Sequence, residues 1–213
     1  MSYRFRDSGK VDIRIRRSTR SIKGVYLDML GEMDEDDITV SSLTDRAGVN
    51  RKTFYLHYKN KTALRDEIAD DMIRTLDDDF TGDMESDILA LYEFLDTDDE
   101  GCRKLFGAPE YRDFRDRLYG GIFRHGAFGE IAETSKYPSL TVGYLYSVVG
   151  IYDRYMEQNP VRKNLKKLAK SATHLALRGL SGGGVSHKCV SLFQISKWQR
   201  ILRSGLSVCA MAS

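Results

Sequence analysis

The stretch Gly48-Val-Asn-Arg-Lys-Thr-Phe-Tyr-Leu-His-Tyr-Lys-Asn-Lys61 decides how this chain is read. Gly48 permits a tight turn, because glycine reaches backbone conformations closed to other residues. Asn50 has the side chain of a helix N-cap. Phe54 and Tyr58, four apart, fall on one helical face and can anchor it in a core. Arg51, Lys52, Thr53 and Tyr55 are left on the other side. Donors crowded at the N-terminal end of a short helix suit phosphates and the edges of bases.

Upstream residues extend the pattern. Ile22, Val25, Tyr26, Met29, Leu30 and Met33 step by three and four, as on an amphipathic helix. The polar run Asp34-Glu35-Asp36-Asp37 ends it. Thr39 then reads as the N-cap of a second short helix, Val40 to Ala47, with Val40, Leu43 and Ala47 facing inward. A third helix follows the Gly48-Val49-Asn50 turn. A fourth begins near Lys61 and carries Leu64, Ile68, Met72 and Leu76. That succession is the layout of a helix-turn-helix domain.

From about Arg16 to Leu64 these residues resemble the TetR (tetracycline repressor) family of transcription regulators. The resemblance is carried by Thr19-Arg20 before Ile22, Thr39-Val40, Leu43, Ala47-Gly48-Val49, Thr53-Phe54-Tyr55, Tyr58, Lys61 and Leu64, spaced as in the family without a gap. Asp34 and Glu35 stand where many members have a glycine and an aromatic, and Thr44 where an alanine is common. These departures point toward an atypical subgroup, such as the one with dihydroxyacetone kinase regulators. They remove no DNA-contacting group. The resemblance implies that Thr39 holds a phosphate through its hydroxyl and the helix-end amides. It further implies that Arg51 and Lys52 read guanine edges, and that Thr53 touches a thymine methyl or a phosphate. Tyr55, His57 and Lys61 would meet further phosphates. Each has a plainer alternative: solvated lysines at Lys52 and Lys61, a core histidine at His57, a structural Tyr55.

Charge is distributed to match. The whole chain is close to neutral at +2, which says little about nucleic acid. Residues 1–23, however, hold eight Lys or Arg against Asp7 and Asp12, while residues 62–99 hold fourteen acidic residues against Arg65 and Arg74. Such a molecule has one end drawn to phosphates and the next segment repelled. The head from Tyr3 to Arg17 lacks an apolar period before Ile13 and Ile15. It is either an arm reaching a minor groove or a solvated tail.

At 213 residues and 41% apolar content, the chain can bury one small core and one larger one. Three prolines and no long alternating apolar runs indicate an all-α protein. Met1 to Lys23 has no apolar stretch of a secretory signal, and no segment is apolar enough to span a bilayer. Cys102, Cys189 and Cys209 are scattered and odd in number, which suits a reducing cytoplasm and gives neither a disulfide framework nor a metal site.

The second half reads as a helical bundle. Ile88, Leu91, Tyr92 and Leu95 mark one helix, and Pro109 opens another. A long helix from about Ser139 to Glu157 has the apolar stripe Leu145, Val148, Val149, Tyr152 and Met156. Beside it, Gly143, Ser147 and Gly150 form a stripe of small residues. Asn159-Pro160 would start the last long helix, with Leu165, Leu168, Ala169, Ala172, Leu175 and Ala176 at helical spacing. By the resemblance, these two helices pair with their twins in a homodimer; the alternative is burial within one subunit. A dimer would present two recognition helices to a palindromic operator in double-stranded DNA. Tyr92, Phe94, Phe106, Phe114, Tyr119, Phe123, Tyr144 and Tyr152 either line a pocket for a small-molecule effector or are simply core.

The expected architecture is therefore all-α. A basic arm (1–12) precedes a three-helix helix-turn-helix domain (13–61), joined by a long helix to a C-terminal effector-binding and dimerisation bundle (62–180). An atypical extension (181–213) follows, in which Ile195, Trp198 and Leu202 share a face beyond Gly182-Gly183-Gly184. An enzyme would need converging polar groups. No Ser/His/Asp pattern, glycine-rich phosphate loop or His/Cys metal spacing is present, so neither catalysis, cofactor nor metal is expected. The expected function is a repressor released by an effector. The alternative is a TetR-like regulator or activator controlled by a partner protein.

Overall fold

The computed structural model describes residues 13–134, 138–158 and 164–181. The basic arm before Ile13, the Asn159-Pro160 start of the last helix and the extension beyond Ser181 lie outside the described residues. Among those described there are helices and no strand. In order they are α1 (Ile13–Glu32), α2 (Val40–Ala47), α3 (Arg51–His57), α4 (Lys61–Asp77), α5 (Met84–Leu95), α6 (Glu100–Gly107), α7 (Arg112–Ile122), α8 (Gly126–Thr134), α9 (Pro138–Gln158) and α10 (Leu165–Ser181). No described helix is long and apolar enough to cross a membrane.

The chain divides into two compact units. One takes the described residues up to Asp78 together with Phe94–Gly121; the other takes Asp79–Glu93 and the described residues from Ile122 onward. The first is built on the apolar stripe of α1, with Ile22, Tyr26, Met29 and Leu30 all buried, as are Leu64, Ile68, Met72 and Leu76 of α4. The helix α1 starts at Ile13, well before that stripe. Its first turns are solvent-facing, so they are helical without leaving an apolar period. Where α6 crosses α1 the backbones nearly touch. A Cβ on Gly101 would stand 2.1 Å from the Leu27 carbonyl oxygen, so only glycine allows that approach.

Charged residues of this unit are used as ties between helices. Lys23, nearly buried, donates to Glu67 at 2.6 Å and to Asp71 at 2.5 Å, joining α1 to α4. The departures at the end of α1 serve the same purpose. Asp34 accepts from Lys104 at 2.9 Å, and Glu35 accepts from the Tyr26 hydroxyl and from Arg65, both at 2.7 Å. Cys102 is buried, and burial followed by the nearby Asp99 pushes its thiol pKa up, which makes it a core side chain and not a reactive thiolate.

The second unit is held by aromatic packing and one buried carboxylate. Asp87, fully buried, accepts from the backbone of Thr81 at 2.7 Å, of Gly82 at 3.3 Å and of Ala127 at 2.8 Å. It thereby caps the start of α8 and closes the loop before α5, which offsets its own desolvation. Phe128 packs edge-on against Phe80 and Phe123, and Phe123 against Tyr146. Tyr92 lies against Tyr152 and donates its hydroxyl to the Val148 carbonyl at 2.9 Å. The helix α10 begins at Leu165, where the Asn164 side chain accepts from the Lys167 amide at 3.0 Å.

Candidate nucleic-acid interface

Local hydrogen bonds set the boundaries of α2 and α3. Thr39 caps α2. Its hydroxyl accepts from the Ser42 amide at 3.0 Å, and the Ser42 hydroxyl accepts from the Thr39 amide at 3.1 Å. Gly48 ends α2 in the left-handed conformation, φ 66° and ψ 31°, which is strained for a residue with a side chain. The Val49 amide then returns to the Thr44 carbonyl at 3.0 Å. Two residues on, the Asn50 side chain accepts from the Lys52 amide at 2.8 Å and starts α3. Thr44 is buried on the inner face of α2 beside Leu43; its hydroxyl donates to the Val40 carbonyl at 2.8 Å, which is how a polar residue fits there.

The orientation of α3 follows from its two buried rings. Phe54 and Tyr58 are essentially inaccessible, with ring centroids 5.5 Å apart. The Tyr58 hydroxyl is buried and makes no hydrogen bond of ordinary geometry. Burial, then the Glu67 and Asp71 carboxylates, raise its pKa and keep it protonated. With this side pinned, Arg51, Lys52, Tyr55 and Leu56 are exposed, while Thr53 and His57 are half-buried on the opposite flank. The Arg51 guanidinium lies 5.5 Å from the centre of the Tyr55 ring and donates to its hydroxyl at 3.4 Å. No acidic residue occurs in α3.

Not all the expected contact residues come together. Thr39 is exposed, but at the start of a different helix. Lys61 is half-buried in the first turn of α4, which Asn60 caps, and its ammonium donates to the Glu35 carbonyl. That amine can reach a phosphate only by leaving the carbonyl. Arg46 of α2 is committed to Glu32, donating from Nη1 and Nη2 to its two carboxylate oxygens. This pairing, ahead of any bulk charge effect, holds the Glu32 carboxyl pKa below its usual value. Ser21 of α1 donates to the Ala47 carbonyl at 2.8 Å and braces the turn from behind. The sequence reading passed over Leu56, which stands four residues after Lys52; a helical wheel with Phe54 and Tyr58 turned inward would have found it.

Two short helices joined by a glycine turn, the second showing Arg51, Lys52 and the Tyr55 ring to solvent, form a helix-turn-helix of the kind DNA-binding domains use. Residues 29–68 match the family described as "Bacterial regulatory proteins, tetR family". Over 56 residues the chain is 38% identical to an uncharacterized HTH-type transcriptional regulator, YxbF, of Bacillus subtilis (strain 168), covering 26% of this chain and 15% of that protein. Over 47 residues it is 40% identical to the tetracycline repressor protein class A from transposon 1721 of Escherichia coli, covering 22% of each. The matched segment thus spans less than a quarter of these relatives' length. Among solved structures, the dihydroxyacetone kinase operon activator DhaS superposes with a TM-score of 0.49 at 19% identity, over 76% of this chain and 96% of that one. The likeness to the tetR family of bacterial regulatory proteins is thus carried by this N-terminal segment.

Proposed function

We propose that this protein is a sequence-specific DNA-binding transcription regulator acting in the cytoplasm, a repressor whose hold on its operator changes when an effector engages the C-terminal helices. One observation carries the reading: the face of α3 opposite Phe54 and Tyr58 is open and bears Arg51, Lys52 and Tyr55 with no acidic neighbour on the helix. In this reading Arg51 and Lys52 meet base edges, while Thr39, Thr53, Tyr55, His57 and Lys61 meet the sugar-phosphate backbone or a thymine methyl. Lys61 does so after exchanging the Glu35 carbonyl for a phosphate. None of its residues is assigned a catalytic step.

The protein works as a homodimer on a palindromic site. Support comes from α9 and α10, where Ser147, Val148, Ile151, Ala172, Leu175, Ala176 and Arg178 line a groove of about 460 Å³. Leu175 is more than half exposed there, and Gly143, Ser147 and Gly150 all face outward in the single chain. A Cβ on either glycine would meet open space, so another helix can come close. A second reading of the control mechanism has its own support. Tyr92 and Tyr152 are buried against each other, and Phe123 is buried against Phe128 and Tyr146; rings spent on packing in this way favour a signal delivered by a partner protein over one delivered by a small molecule.

The test is binding of the full chain to an operator obtained by selection from random duplexes. Arg51→Ala and Lys52→Ala should each cost about 1–3 kcal/mol and relax sequence preference. Tyr55→Phe should weaken all sites alike. If both cation variants bind the selected operator like the parent, the assignment of α3 as the recognition helix fails.

A further inference from the structure

The exposed face of α3 is not purely cationic. Successive residues turn by about 100° around a helix, so with Phe54 and Tyr58 turned inward the point farthest from the core is shared by Lys52 and Leu56. Arg51 and Tyr55 flank that line on one side, and Thr53 and His57 on the other. Leu56 is 76% exposed, the largest value among the exposed large apolar side chains described. A single exposed leucine is ordinary on a protein surface. This one is set apart by its place at the crest of the helix, one turn from a lysine and with no acidic residue on the helix.

We propose that Leu56 is a specificity-determining residue which packs on the 5-methyl group of a thymine in the major groove. The inference rests on the DNA-binding reading above and adds an apolar contact to it. Among the four base pairs, the major-groove edge presents hydrogen-bond donors and acceptors everywhere and one apolar group, the thymine methyl. Polar side chains satisfy the former, and a leucine has only the latter to gain from. The flanking cations supply the attraction to phosphate that brings the crest into the groove. Leu56 stands about 6 Å along the axis from Lys52, so the thymine it meets lies within about two base pairs of the base met by Lys52.

The experiment uses the full chain and an operator selected from random duplexes. Each thymine of that operator is replaced in turn by deoxyuridine, which keeps every hydrogen-bonding group and lacks only the methyl. Affinities are measured for the parent and for Leu56→Ala. For the parent, one replacement in each half-site should weaken binding about fourfold, the weight of burying one methyl-sized group. Leu56→Ala should already be weaker on the thymine operator and indifferent to that same replacement. Its helix content and melting temperature should match the parent's, since so exposed a side chain contributes little to the core. Deoxyuridine effects of equal size in both proteins overturn the proposal, as does a selected operator with no thymine near the contacted guanine. Failure to enrich any sequence with the parent instead overturns the DNA-binding reading itself, and Leu56 falls with it.

Discussion

Lys23→Met should destabilise the fold by about 2–3 kcal/mol, although it exchanges side chains of similar length. The Lys23 side chain is 6% exposed and its ammonium bridges Asp71, whose side chain is 9% exposed, and Glu67, which is far more open. Removing one member of a buried ion pair typically costs about 3–5 kcal/mol, because the other charge is left in a poor solvent. Two features reduce the figure here. Arg74 still stands at the second oxygen of Asp71, and Glu67 can turn toward water, so its share is that of a surface pair, under about 1 kcal/mol. For a chain of this length the loss corresponds to a fall in melting temperature of roughly 5–10 °C. The assay is thermal and urea unfolding followed by circular dichroism at one fixed protein concentration, so that self-association does not shift the comparison. Combining Lys23→Met with Asp71→Leu should recover at least 1 kcal/mol relative to the sum of the single changes, since no buried charge then remains. A single variant within about 0.5 kcal/mol of the parent, or strict additivity in the pair, would refute the claim that this ion pair ties α1 to α4.

Gly101→Ala should lower stability by about 1–3 kcal/mol, because a Cβ would stand 2.1 Å from the Leu27 carbonyl. A glycine in the middle of a free helix would instead gain up to about 1 kcal/mol on the same change, so a rise in melting temperature would show that α6 does not approach α1 this closely. At high pH, Tyr111 should matter. Burial, followed by the Glu35 and Glu110 carboxylates, pushes its pKa from 10.0 up to about 12. A raised pKa means the folded state keeps its proton longer, so the contribution is complete below pH 10 and is lost as pH rises toward 12. Tyr111→Phe should therefore flatten the decline of unfolding free energy over that window, and a decline unchanged in slope would count against it.

How legible the molecule was in its sequence depended on the range of each interaction. The bounds of α2 and α3 could be read because Thr39, Gly48 and Asn50 act on amides two or three residues away. Phe54 and Tyr58 could be assigned to the core because four-residue spacing on a short helix leaves no other face for two rings. The early start of α1 at Ile13 was not legible: apolar periodicity reports burial, and the first turns of that helix are exposed. Asp34 and Glu35 looked like mere departures from a family pattern. Their partners Lys104 and Arg65 lie 70 and 30 residues further along the chain, and no local rule names such a partner. The extended edge of the motif at Lys61 likewise carries no information about which later helices pack with it, and the contacts gather α4, α6 and most of α7 into the unit of α1 to α3.

Caps, turn and ring spacing, all contained within a dozen residues, were enough to specify a helix-turn-helix and the side of α3 that faces away from the core. Which cations elsewhere in the domain remain unpaired was settled only by folding. Arg46 is taken by Glu32, Lys23 by Asp71 and Glu67, and Lys61 by the Glu35 carbonyl, whereas Leu56 is left at the crest. The reason is physical: secondary structure follows from short-range hydrogen bonds and sterics encoded residue by residue, while the pairing of charges depends on distances that exist only once distant helices have packed.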